Sequence, residues 1–398
     1  MVVMGKLLSR LIGSKADVFF EEHWERNFFI LEEFGVECSD ILTIADVDSF
    51  LSQQAMSYPF IRIVKNGKEI PLVKYLRMPF DAEFRLIDSD KVLSLYSDGA
   101  TIIFQKAHLW IERLSLLAEN LQASFQFPVN CNVYITPPNS KGFAPHFDTH
   151  DVFILQVSGE KVWNLYDRPT PFALETESLT TQQSAAYLKE KPTVELTLKE
   201  KNLLYVPRGL VHDTFTLSKQ SVHVTLGMFP PRGVDLLKAF TNAASKREFF
   251  KKSIHQNGHR KPLAAFAKSL SAECSNVLKQ FSESEIKKHF AAKYLGVPAQ
   301  DNAGRFQDLL HLQAIGLDTQ IRKREKVVFI ISTSSGTIAI SFYDKMITFP
   351  DYVGESIHFI TSKSLFLVSE IGGCLDDTAK LVLVRKLVKE GFLKLTKH

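Results

Sequence analysis

The sequence predicts an α+β protein in three consecutive parts, and three changes of texture predict it. From Pro128 to Phe229, short apolar runs are broken by proline and glycine, which reads as β structure. From Val234 to about Leu317 the pattern turns helical, as in LLKAFTNAASKREFFKK and AECSNVLKQFSESEIKKHFAAKYL. After Ile321 it turns mixed: VVFIIS, TIAISFY and KMITFP read as strands, and DDTAKLVLVRKLVKEGFLKL as a helix ending near Gly391. The boundaries fall near Arg232 and Asp318, which divides the chain into 1–232, 233–318 and 319–398.

Within the first part the elements follow in order. MVVMGKLLSRLIGSK lacks a proper apolar core and a small-residue cleavage site, so it reads as part of the fold. FFEEHWERNFFILEE reads as a short helix running into a strand. ILTIADVDSFLSQQ places Asp46 and Asp48 near a helix start. IRIVKNGKEIPLV alternates around Asn66-Gly67, a hairpin signal, because both residues tolerate the positive φ that a tight turn needs. ATIIFQKAHLWIERLSLLAENLQASF begins as a strand and becomes an amphipathic helix. Glu175 to Glu190 interrupts the β region with a loop and a short helix. Ser158-Gly159 predicts a turn, with a new strand resuming at Lys161.

The bulk numbers exclude several classes. A chain of 398 residues buries enough core to fold without disulfide or metal staples. Its net charge of +4 is too small to argue for nucleic acid. Cys38, Cys131, Cys274 and Cys374 show no paired spacing, the usage of a reducing compartment, and a cytoplasmic location is expected. No apolar run is long enough to span a bilayer, so no membrane association is expected.

The chemistry lies in the β region. On alternate positions Asn132, Tyr134 and Thr136 share one face of NVYIT, His146 and Asp148 one face of HFD, and Ser221, His223, Thr225 and Gly227 one face of SVHVTLG. A half-buried strand with a solvated face gives the same alternation. Solvated faces, however, favour long charged side chains, whereas these are small polar and aromatic ones. A wet cavity inside a barrel explains them better. His146 and Asp148 supply two metal ligands, and His212, after the Pro207-Arg208-Gly209 turn, supplies a third. Two histidines and one carboxylate form the facial triad of non-haem Fe(II) oxygenases, which leaves coordination positions open. Zinc in a hydrolase is the competing occupant of such a set. His150 competes as a ligand at a further remove. Lys161 is either an exposed lysine or a cation inside the barrel; Trp163 and Leu165 share its face, which favours the interior. A buried lysine needs an anion, and the distal carboxylate of 2-oxoglutarate is a natural one.

NVYITPPNSKGFAPHFDTHDVFILQVSGEKVWNLY, PRGLVHDTFT and SVHVTLG together resemble the JmjC-type ribosomal oxygenases. The resemblance implies a JmjC cupin-type double-stranded β-helix, a helical dimerisation domain and a C-terminal winged-helix domain. It implies His146, Asp148 and His212 as ligands of Fe(II), Lys161 as partner of the 2-oxoglutarate cosubstrate, and Asn132, Tyr134 and His223 lining its pocket. It implies a homodimer that hydroxylates a histidine or arginine side chain of a ribosomal protein. Thr149-His150-Asp151 and Lys161 depart from the patterns of the eukaryotic histidyl and bacterial arginyl hydroxylases respectively, which leaves the target residue open. The same chemistry on a peptide natural product or metabolite, and a cupin that only binds, are the competing functions. The basic stretch SKREFFKKSIHQNGHRKPL reads as a solvated helix face. Aspartates Asp376 and Asp377 and an apolar centre argue against DNA binding by the last helix.

Overall fold

The structure is a computed structural model that describes residues 6–53, 56–77, 85–125, 127–253, 263–280, 302–324, 327, 329–343 and 345–396. It separates into two compact units, Met1–Pro230 and Pro231–His398.

The first unit is built on one antiparallel network of strands: β1 (Phe29–Leu31), β2 (Ile61–Lys65), β3 (Lys68–Glu69), β4 (Thr101–Phe104), β5 (Val129–Thr136), β6 (Asp151–Leu165), β7 (Val194–Lys199), β8 (Leu203–Val206), β9 (His212–Phe215) and β10 (Ser221–Met228). The main order is β1-β8-β6-β10-β5-β4-β2-β3, with β7 and β9 also paired to β6. The long strand β6 organises both layers. Its first half pairs with β8 and β10 and its second half with β7 and β9.

This corrects the turn expected at Ser158-Gly159. The chain continues through these residues as one strand of 15 residues, with a register shift opposite Val222 and His223. Gly159 has φ +68°, and a Cβ there would stand 1.9 Å from the carbonyl oxygen of Gln220. Glycine therefore makes a bend between two layers rather than a hairpin, because the extra residue is absorbed as a bulge.

Helices and loops cover the outer face. Leu8, Leu11 and Ile12 of the helix Lys6–Ile12 are buried, so this helix packs into the fold, while residues 1–5 of the same stretch lie outside the described residues. The helix Ile44–Leu51 starts at Thr43, whose hydroxyl accepts from the Asp46 amide while the Asp46 carboxylate accepts from the Thr43 amide. That capping box satisfies two otherwise orphaned donors. The helix Glu112–Phe125 buries Leu114, Leu117, Ala118 and Leu121 against the core. The expected hairpin forms β2 and β3, with φ of 50° at Asn66 and 82° at Gly67.

In the second unit, the helices Gly233–Ala244 and Leu263–Gln280 come first. The expected helical stretch FSESEIKKHFAAKYL and residues 254–262 of the basic stretch lie outside the described residues. Strands β11 (Gln320–Lys323), β15 (Leu365–Leu367) and β16 (Leu393–Leu395) form one small sheet. Strands β12 (Phe329–Ser334), β13 (Thr337–Phe342) and β14 (Lys345–Pro350) form the three expected strands of a second. The helix Asp377–Glu390 is capped by Asp376 and ends at Gly391, whose φ is +85°. Its buried face is Leu383, Val384, Leu387 and Val388. Among the described residues, no helix is long and apolar enough to cross a membrane.

Candidate metal and cosubstrate site

The interior of the strand network holds a cavity, and the alternation of the strands decides what faces it. Ile103 of β4 pairs with Tyr134 of β5, which pairs with His223 of β10, so one row of side chains crosses the wall. The next row holds Thr101 and Thr136, whose hydroxyls are 3.1 Å apart.

His146 and Asp148 lie in an extended segment before β6 rather than on a strand, which corrects the strand expected for HFD. Their placement comes from backbone pairing with the second motif. The His146 amide donates to the His212 carbonyl at 3.1 Å and the His212 amide to the His146 carbonyl at 2.8 Å. The Gly209 amide donates to the Asp148 carbonyl at 2.9 Å. The Pro-x-Gly-x-x-His segment is thus fastened along His-x-Asp by three backbone hydrogen bonds, two residues on each side. Gly209 has φ +85°, and a Cβ there would sit 1.9 Å from the Thr170 carbonyl oxygen, so only glycine fits. His212 opens β9 as expected.

One donor atom from each of His146, Asp148 and His212 lies within 4.8 Å of the others. Asp148 Oδ2 is 3.9 Å from His212 Nε2. His146 Nδ1 donates to the Ala144 carbonyl at 2.9 Å, and His212 Nδ1 to the Leu210 carbonyl at 3.0 Å. A carbonyl only accepts, so both Nδ1 atoms carry the proton and both Nε2 lone pairs are free for an ion. Burial pushes His212 down to about 4, with the neighbouring His146 acting in the same direction. Burial alone would raise Asp148, but His150, His212 and His146 outweigh it and hold the carboxyl below its ordinary value. The neutral His212 imidazole, the His146 ring and an ionised carboxylate offer the kind of donor set a divalent cation needs. These residues therefore fit a metal ion of the Fe(II) type.

Lys161 is 2 % exposed and lines the same cavity. Its Nζ donates to Thr136 Oγ1 at 2.9 Å. Burial drives its pKa down from 10.5 to about 7. Tyr134 and His223 also line the cavity, stacked face to face with centroids 4.8 Å apart. Burial raises the Tyr134 phenol and lowers the His223 imidazole, so both are neutral donors or acceptors. Asn132 lies on the same strand face but outside the cavity lining, and its Oδ1 accepts from the Lys106 amide at 3.0 Å. His150 also lies outside the lining, stacked on Phe229 at 4.7 Å.

Two contributors were not singled out from the sequence. Thr101 joins the Thr136–Lys161 chain from β4, and Thr214 of β9 joins the lining. Each lies on the inward face of a short strand, the one signal available for them.

Residues 110–236 match the model of the JmjC domain family. The bifunctional lysine-specific demethylase and histidyl-hydroxylase NO66 of Drosophila yakuba is 30% identical over 56% of this chain and 32% of its own. NO66 of Culex quinquefasciatus is 27% identical over 74% of this chain and 46% of its own. The chain spans about a third to a half of the length of these relatives. The ribosomal oxygenase YcfD of Escherichia coli, solved with cobalt and 2-oxoglutarate, has the same fold, with a TM-score of 0.57, 14% identity and coverage of 98% of this chain and 99% of that one.

Proposed function

We propose that the protein is an Fe(II)- and 2-oxoglutarate-dependent oxygenase that hydroxylates a histidine or arginine side chain of a protein substrate, a ribosomal protein. The observation that carries this reading is the grouping of His146, Asp148 and His212 in the cavity that also holds the buried Lys161. A second line of support comes from the relatives: NO66 is a histidyl hydroxylase, and YcfD is a ribosomal oxygenase solved with 2-oxoglutarate.

His146 Nε2, His212 Nε2 and Asp148 Oδ would hold Fe(II), which supplies oxygen activation coupled to oxidative decarboxylation of 2-oxoglutarate. Lys161, protonated, would pair with the distal carboxylate of the cosubstrate. Thr136 holds the ammonium in place from the side, at 2.9 Å. Tyr134 and His223 would flank the cosubstrate, with Asn132 at the outer edge of that wall. The apolar part of the lining, including Val64, Ile103 and Ile154, keeps bulk water from the reacting atoms.

The same reading extends to the rest of the chain. Residues 1–232 form the catalytic domain, 233–318 a helical dimerisation domain and 319–398 a winged-helix domain. Exposed Leu237 and Leu278 on the helices Gly233–Ala244 and Leu263–Gln280 support a homodimer contact. The separate cysteines support a cytoplasmic location.

The test is succinate release from 2-oxoglutarate by Fe(II)-loaded protein, with and without stripped ribosomal proteins. Turnover stimulated by that mixture, with an added oxygen found by mass, supports the proposal. Unstimulated turnover moves the substrate to a peptide or metabolite. No turnover with iron bound leaves a protein that only binds.

A further inference from the structure

The β2–β3 hairpin stands outside the metal cluster, yet its turn meets the segment that carries His146. The Asn66 amide donates to the Lys141 carbonyl at 3.2 Å and the Gly67 amide to the Gly142 carbonyl at 2.8 Å. Gly67 and Phe143 form a parallel bridge. The fit is close: a Cβ on Gly67 would lie 3.1 Å from Ala144 Cβ and 3.2 Å from Ala144 N. Ala144 is the residue whose carbonyl accepts from His146 Nδ1.

The strands of the hairpin add a second hold. Arg62 makes a two-pronged pair with Glu69, Nε to Oε1 at 2.9 Å and Nη2 to Oε2 at 2.5 Å. The same guanidinium lies 5.7 Å from the centre of the Phe143 ring, and that ring is edge-on to His146 at 5.5 Å. On the far side Lys141 Nζ donates to Asp213 Oδ2 at 2.9 Å. The segment 141–146 is thus gripped between the hairpin and β9.

We infer that the β2–β3 hairpin is a clamp that positions His146, with Gly67 and Arg62 as its positioning residues. The inference rests on the metal reading of His146 for its consequence, though the grip itself is a property of the fold. Glycine at 67 does two separable things. It takes the positive φ of the turn, and it leaves room for Ala144. A side chain there displaces the carbonyl that orients the His146 ring. Outer contacts of this kind tune metal affinity by about 10- to 100-fold.

The experiment separates the two roles with Gly67→Ala and the double variant Gly67→Ala/Ala144→Gly. Co(II) affinity and metal-free hydrogen exchange of the segment 141–147 are measured in both. Gly67→Ala is expected to weaken Co(II) by about 10- to 100-fold and to speed exchange at the His146 amide by at least about 10-fold. The double variant removes the Cβ–Cβ approach but keeps the turn strain. It should recover most of the affinity and protection while its Tm stays about 2–4 °C low. A merely structural role would lower Tm and leave affinity alone, or would give losses that Ala144→Gly does not restore; either result overturns the clamp. If Gly67→Ala does not fold, Arg62→Lys is decisive, since it keeps the charge and loses the planar fork over Phe143. Unchanged affinity and exchange in that variant overturn the inference. A wild-type protein that takes no Co(II) through His146 removes the oxygenase reading, and the exchange arm alone then decides the clamp.

Discussion

Replacing Lys161 with methionine should make the protein more stable and, on the proposed function, unable to hold 2-oxoglutarate. The lysine is 2 % exposed, and its pKa falls from 10.5 to about 7 because burial opposes the charge. Unfolding returns the amine to water, where it holds its proton up to about 10.5. Between these values the unfolded chain binds more protons than the native one, so wild-type stability rises with pH across that window. Below about 7 both states are protonated and the penalty is constant. At pH 7.5 the penalty amounts to about 4 kcal/mol at 1.36 kcal/mol per pK unit. Methionine fills similar volume, and it loses one hydrogen bond worth about 1 kcal/mol. Thr136 keeps its contact with Thr101 at 3.1 Å, so no buried hydroxyl is stranded. The net gain is about 3 kcal/mol, or a Tm rise of about 6–12 °C for a unit of this size. By pH 10.5 the penalty falls below about 1 kcal/mol, no more than the lost hydrogen bond, so the gain should vanish. Thermal melts of cosubstrate-free wild type and Lys161→Met across pH 6.5–10.5 measure it. Calorimetry with Mn(II) should show 2-oxoglutarate binding at least about 30-fold weaker, the cost of breaking a buried charge pair. A variant that melts at or below the wild type at pH 7.5, or that binds 2-oxoglutarate normally, refutes the reasoning.

Three further outcomes follow from the same geometry. Asp148→Ala leaves two imidazoles and no counter-charge, so Co(II) affinity by titration should fall at least about 100-fold with little change in Tm. Gly209→Ala meets the Thr170 carbonyl and a φ of +85° together, and urea melts should show a loss of about 3 kcal/mol or more. In the second unit, Arg324 is fully buried and pairs with Asp308 at 2.7 Å, so Arg324→Ala should destabilise that unit by about 3–5 kcal/mol while Co(II) binding persists.

The sequence by itself carried the residues that the structure groups around one cavity. His146, Asp148, His212 and Lys161 were legible because ligand chemistry restricts residue type, and because period two in NVYIT and SVHVTLG marks a polar interior face. The Asn66-Gly67 turn was legible for the same kind of reason, a local backbone demand that few residues meet. Tertiary structure decided the rest, because it depends on pairings between residues far apart in the chain. Ser158-Gly159 looks like a hairpin turn, but the strands on either side of β6 find their partners in β8, β10, β7 and β9, and the glycine became a bend. His146 and Asp148 look like strand residues, but a single bridge to His212 and the amide of Gly209 hold them instead. Thr101 could not be assigned to the lysine until β4 lay beside β5. Local stereochemistry is written in neighbouring residues, whereas which faces meet across a barrel is settled only when the whole sheet closes and buries them.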